Sequence, residues 1–249
     1  MNDPQIHFLD GVAADKCLAA LSAAAGQELV SGKFLSPVSS SALAVNCFGW
    51  FFERPEALPA LPGLEDLDWP ARSVAIECQM RFPWARGRHP WLDAAIETDQ
   101  ALVGIEAKRF EPYRDTKVAN FSDTYDRDVW GNGLEPYAAM RDRLKAQPRA
   151  FNYLDAAQLV KHALGLATQA SKRGKAPVLY YLFAEPAMLA GKPITSAVLA
   201  AHRAEIAVFA DAVAGSRVRF AAASYRDWFG SWSGESTAHA GALLKHFEP

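Results

Sequence analysis

The sequence predicts a single α/β domain built on a mixed β-sheet, and three observations lead there. Segments of period-two alternation and of helical periodicity follow one another as helices, three strands, helix, strand, helix, strand. A chain of 249 residues is long enough to bury one sizeable core. Its composition, 50% apolar and 22% charged, is that of a globular protein with no repeat or low-complexity tract.

Each element has its own warrant. Residues 12 to 25 are an Ala/Leu-rich run that reads as a helix. In "SPVSSSALAVNCFGWFF", Ser39 to Ser41 are N-cap candidates for a second helix, apolar from Leu43 to Phe51. "ERPEALPALPGLEDLDWP" is Pro-rich and reads as a surface connection, so 1–70 hold N-terminal helices and that linker. "SVAIECQMRF" alternates as a strand, with Val74, Ile76 and Cys78 on one face and Ser73, Ala75, Glu77 and Gln79 on the other. A hairpin follows at 91 to 110. Residues 111 to 135 keep no period, and a loop that long inside a compact chain is usually functional or partly disordered.

Helices are expected over 136 to 146 and 153 to 170. "APVLYYLFAEP" is a near-continuous apolar run, the pattern of a strand covered on both faces. "SAVLAAHRAEIAVFADAVAG" has helical spacing and a Gly stop, and "RVRFAAASY" reads as the last strand. The core is thus expected over 71–225, with 226–249 as a C-terminal tail.

A formal charge of −2 implies no global attraction to nucleic acid, so any such binding must come from local basic surface. "RDRLKAQPR" and "SKRGK" are the two basic clusters considered, and each reads equally as a solvated face. Cys17, Cys47 and Cys78 have no CxxC spacing and read as buried free thiols. No apolar run is long enough to span a bilayer. "CLAALSAAA" follows acidic rather than basic residues, which argues for a cytoplasmic protein with no membrane partner. There is no G-x-S-x-G elbow, Walker-type loop, dinucleotide fingerprint or H-E-x-x-H. Trp130, Trp228 and Trp232 have faces on which bases could stack, though large aromatics more often anchor a core.

The hairpin holds the chemistry. If Asp99-Gln100 is a two-residue turn, Thr98 pairs with Ala101, Glu97 with Leu102, Ala95 with Gly104 and Asp93 with Glu106. Residues so opposed have Cβ atoms roughly 4.5–5.5 Å apart. Alternation sets Lys108 beside Glu106, and Leu92, Ala94, Ile96, Val103, Ile105 and Ala107 on the other face. Opposed carboxylates destabilise a sheet unless compensated, and a hard divalent cation, Mg²⁺ or Mn²⁺, is suited to that. Lys108 beside them can orient a water or offset phosphoryl charge. A wet sheet face on which Lys108 merely pairs with Glu106 or Asp93 would use the same residue types.

Pro90-x-x-Asp93, then Glu106-Ala107-Lys108 on an apolar strand, resembles the signature of the PD-(D/E)XK nuclease superfamily. "IEAKRFEPY" and "LDAAQLVKHALGL" also look like a bacterial branch of these nuclease-like proteins. The resemblance implies a restriction-endonuclease-like fold, an αβββαβ core with extra helices, and metal-dependent hydrolysis of a phosphodiester. It implies that Asp93, Glu106 and the carbonyl of Ala107 hold the metal and that Lys108 is the catalytic lysine. Expected partners are nucleic acid, DNA before RNA, and a second copy of the chain in a homodimer.

The superfamily often carries another acid on its first core helix. Here that helix offers only Asn46, and Glu77 on the neighbouring strand is the substitute. Some branches place a Gln or Tyr on the helix after the third strand, where Gln158 and Lys161 are candidates for substrate, with His162 one turn from Gln158. A lone loop histidine such as His89 reads as surface. The rival reading keeps the fold and drops the chemistry, leaving a module that binds nucleic acid or protein.

Overall fold

The computed structural model describes residues 8–24 and 29–249. Helix α1 covers Ala14–Ala23, inside the expected 12 to 25, whose last residue lies outside the described ones. Helix α2, Ser40–Gly49, starts where the serines predict: Ser39 Oγ accepts from the N–H of Ala42 at 3.0 Å. From Ala42 to Gly49 every residue is buried, so α2 is a core helix and not a surface one. The Pro-rich linker also contributes to the core, through Leu58, Leu61 and Leu64.

Strands β1 (Ser73–Gln79), β2 (Trp91–Glu97) and β3 (Ala101–Lys108) form an antiparallel meander. The β2–β3 register is the expected one, Glu97 with Leu102 through Ala94 with Ile105. The turn is held from outside: Asp68 accepts from Thr98 Oγ1 at 2.5 Å and from the N–H of Gln100 at 2.8 Å. One helical turn, α3 (Glu111–Arg114), and helix α4 (Glu135–Ala146) lead to α5 (Ala156–Arg173). Strand β4 (Ala176–Phe183) lies parallel to β3. A small ribbon, β5 (Met188–Leu189) with β6 (Lys192–Pro193), precedes α6 (Ser196–Ala212). Strand β7 (Arg219–Ser224) lies parallel to β4 and completes the sheet order β1-β2-β3-β4-β7. The fold is α/β, a five-stranded mixed sheet flanked by helices, as expected of the restriction-endonuclease-like class.

Two apolar layers sandwich the sheet. On one side α1, α2 and the last helices, α7 (Tyr225–Gly230) and α8 (Ser236–Phe247), pack on Val103, Ile105 and Tyr180. Residues 226–249, expected as a tail, therefore form part of this layer, with Trp228 and Phe247 buried and Trp232 likewise core. On the other side α4, α5 and α6 pack on Leu102, Leu179 and Tyr181.

Two face assignments need correction. Cys78 and Leu92 belong to the α5 layer, whereas Val74, Ile76, Ala94 and Ile96 belong to the α2 layer. The cause is at Glu77, whose φ of 49° takes the backbone into the left-handed region and reverses which side β1 presents. β2 changes sides at the same level, since Cys78 pairs with Leu92.

Two glycines let α5 lie close to the sheet. A Cβ on Gly104 of β3 would stand 2.3 Å from Leu92 Cδ1, and one on Gly165 of α5 would stand 2.6 Å from the carbonyl oxygen of Met80. At Gly165 the obstacle is backbone, so that position leaves no room for a methyl group, and α5 is held close to the end of β1. At Gly104 the Leu166 side chain of α5 stands 3.2 Å from where the Cβ would be.

Candidate active site

The site forms where β2 and β3 separate. Their backbone ladder ends at Ala94 and Ile105. One step further, the Asp93 carboxylate replaces a main-chain acceptor: Oδ2 accepts the N–H of Ala107 at 2.7 Å. Burial and then the nearby Glu106 push the Asp93 carboxyl well above its ordinary range, against the opposing pull of Lys108.

Glu106 is only 2% exposed. Its Oε1 lies 2.5 Å from Lys108 Nζ and its Oε2 lies 2.8 Å from His162 Nδ1 of α5. Neither Oε1 nor His162 Nδ1 has an aligned hydrogen-bond partner, so both contacts are ones of charge and proximity. Burial alone would raise this carboxyl, but Lys108 and His162 outweigh it and hold Glu106 at about 2. Burial likewise pulls the Lys108 ammonium down, and Glu106 followed by Asp93 more than offsets this, keeping it firmly charged.

Two cavities meet at this strand end. One, of about 390 Å³, is lined by Glu77, Asp93, Lys108, Glu111 and the serines that start α2. The other, of about 230 Å³, is lined by Lys108, Glu111, Asp155, Gln158 and Tyr181 among others. Asp155 caps α5 by accepting the N–H of Gln158 at 2.9 Å, and Glu205 of α6 accepts the N–H groups of Asn152, Tyr153 and Leu154. These bonds fix the entry of α5 and so the place of Gln158.

The expected residues are thus partly assembled. Asp93, Glu106 and Lys108 converge, and Glu77 and Gln158 line cavities shared with Lys108. Lys161 does not join them; it lines a hollow further along α5. Asn46 is not a ligand candidate, because its Oδ1 accepts the N–H of Leu9 and its Nδ2 donates to the carbonyl of Ala42. His89, expected at the surface, is buried, its Nδ1 accepting the N–H of Phe82.

Glu111 went unremarked in the sequence although it stands three residues after Lys108. Its Oε2 accepts the N–H groups of Arg109 and Phe110, and its Oε1 accepts from the hydroxyl of Ser40. Burial would raise the Glu111 carboxyl, but these bonds and Lys108 keep it below the usual range. It supplies an acid facing the start of α2, whose own body has none.

Among the described residues, no group of three or more His, Cys, Asp or Glu side chains is placed to hold a metal ion. The smaller set that the resemblance implies for a hard divalent cation is Asp93, Glu106 and the Ala107 carbonyl; of these, Glu106 Oε1 lacks an aligned donor and Asp93 Oδ2 accepts the Ala107 N–H.

A family model described as REase-ARP, restriction endonuclease associating with ARP, matches residues 22–224. The chain belongs to that family. No curated protein and no solved structure matches it. In this REase-ARP member the matched span runs from α1 to the end of β7 and includes Asp93, Glu106, Lys108, Glu111 and His162. A restriction-endonuclease-like chain with a five-stranded mixed sheet is the coarse identity these findings establish.

Proposed function

We propose that this chain is a metal-dependent nuclease that hydrolyses phosphodiester bonds of nucleic acid, DNA in the first instance. One observation supports the reading above all others. At the parting of β2 and β3 an acid, Asp93, faces the buried Glu106–Lys108 pair, and two cavities open there. A bound Mg²⁺ or Mn²⁺ would polarise the phosphate and lower the pKa of a coordinated water. Asp93, Glu106 and the Ala107 carbonyl are the groups that would hold it, and Glu77 lines the same cavity without completing a three-acid group.

The chain's own contributions follow from its geometry. His162 fixes Glu106 from the α5 side, leaving Oε1 toward Lys108. Lys108, charged and at the junction of both cavities, orients the attacking water and offsets the charge that grows on the phosphoryl oxygens. Gln158 presents an amide to substrate from the second cavity.

A second reading, a catalytically silent binding module, is favoured by one fact: Glu106 already has Lys108 and His162 in contact with its two oxygens. Cleavage of plasmid and single-stranded DNA with Mg²⁺ or Mn²⁺ separates the two. Under the nuclease reading the Lys108→Ala chain loses cleavage and keeps most binding. Digestion by Lys108→Ala at the parent rate overturns the assignment.

A further inference from the structure

A second hollow lies along α5 from the carboxylate site. Lys161 enters it three residues after Gln158, a helical rise of about 4.5 Å. Trp84, Arg86 and Arg88 line it from the β1–β2 connection, and Tyr125 and Arg127 from the segment between α3 and α4. Its volume is about 860 Å³.

Its charge is one-sided and uncommitted. No carboxylate lines it, and none of Arg86, Arg88, Arg127 and Lys161 makes an ion pair among the described residues. Several cations elsewhere are engaged: Arg141 and Lys145 with Asp126, Arg173 with Glu97, Arg203 with Glu185. Asp126 and Asp128, the chain neighbours of Arg127, line an adjacent hollow that Arg127 also borders. Four cations with no ion pair among the described residues, around one concavity, call for a polyanion.

Its rings add a second requirement. The Arg127 guanidinium lies 5.0 Å over the ring of Trp84, and Lys161 Nζ lies 5.8 Å over that of Tyr125. Trp84 packs against Phe82 and Trp130 and keeps exposed surface. Rings and cations interleaved around the wall match a nucleotide: a base to stack and a phosphate to neutralise. In a duplex the base faces are covered by neighbouring pairs, so a duplex can use the cations but not the rings.

We propose that this hollow binds an unpaired stretch of nucleic acid, bases against Trp84 and phosphates against the four cations. Single-stranded nucleic acid is then the preferred substrate class of the adjoining site. This rests on reading that site as a nuclease.

The test uses the full-length Lys108→Ala chain without divalent metal, so that nothing is cut. It is titrated with a short oligothymidylate, with a duplex of equal length and with inorganic polyphosphate, following affinity and tryptophan fluorescence. The single strand should bind about tenfold or more tightly than the duplex and quench fluorescence. Trp84→Ala should lose about tenfold in affinity, and Trp84→Phe should keep most of it. Arg88→Ala with Arg127→Ala should flatten the salt dependence. Equal affinity for the duplex, or unchanged binding by Trp84→Ala, overturns the proposal, as does polyphosphate matching the oligonucleotide. The parent chain assayed for cleavage keeps the two readings apart. Strand binding without cleavage defeats the nuclease reading and leaves the binding surface standing, whereas cleavage without Trp84 dependence does the reverse.

Discussion

His162 Nδ1 stands 2.8 Å from Glu106 Oε2, joining α5 to the third strand through a buried pair. The helix after the sheet thereby sets the orientation of a carboxylate it does not carry. His162 is a positioning residue in this arrangement, because it reaches substrate or metal only through Glu106. His162→Ala should weaken the apparent Mn²⁺ affinity in cleavage assays by about 10–100-fold. His162→Asn, which keeps a donor near the same place, should restore much of it. A loss equal for both variants, with unchanged metal dependence, would mean that His162 serves packing alone.

Asp93→Asn should stabilise the fold while abolishing cleavage. The carboxyl is enclosed, near Glu106, and pushed well above its ordinary range, whereas an asparagine oxygen can still accept the N–H of Ala107. In the parent, a raised folded pKa means stability falls as pH rises from about 4 through that pKa. The substitution removes this loss, so the thermal midpoint at neutral pH should rise by a few degrees, about 2–4 °C per kcal/mol at this chain length. A lowered midpoint without metal would show that the charge is not under strain.

Destabilisation at low pH should be traceable to His202. It is fully buried between Tyr113 and Tyr181, and burial, then Lys117 and Arg203, pull its imidazole down to about 4. The hydroxyl of Tyr113 donates to the carbonyl of Ala184, so His202 Nδ1–H donates to Tyr113 and Nε2 accepts from Tyr181. A second ring proton would face a hydroxyl that is already donating. Because the folded pKa is depressed, stability is full above about 6.5 and is lost as pH falls toward 4, by at most about 3 kcal/mol. Denaturant midpoints of His202→Gln should decline less over that window than those of the parent. Parallel curves would assign the acid sensitivity to other groups.

Gly165→Ala should cost stability despite the better helix propensity of alanine. The new Cβ would meet the Met80 carbonyl oxygen at 2.6 Å, a backbone atom that cannot swing aside. Overpacking of this kind costs about 1–3 kcal/mol, against about 1 kcal/mol gained from propensity. Cleavage should suffer more than stability does, because the same shift moves His162 away from Glu106. A variant more stable than the parent would show that α5 has slack at this point.

Much of this was legible in the sequence, for reasons that can be located. The tight Asp99-Gln100 turn and alternation determine the β2–β3 register from Glu97 with Leu102 to Ala94 with Ile105. The ladder ends there, so Asp93 is not paired opposite Glu106 as the sequence predicts and instead bonds the N–H of Ala107. The reversal of faces at Glu77 was not legible, because a left-handed glutamate carries no local mark as a glycine would. The pairing of His162 with Glu106 depends on how closely α5 approaches, and periodicity says nothing of that distance. Glu111 was overlooked beside a motif that drew attention to its neighbours. The basic surface was sought in runs of Lys and Arg, whereas in "RFPWARGRHPW" cations alternate with rings, and that alternation was the usable signal.

Lys108 and Glu111 each border both cavities at the strand end. Such a centre has two doors. If the chain is the nuclease proposed, a cut strand need not back out the way it entered, and a blockage at one mouth leaves the other open to solvent. Inhibitors shaped for a single mouth should therefore slow the protein without silencing it.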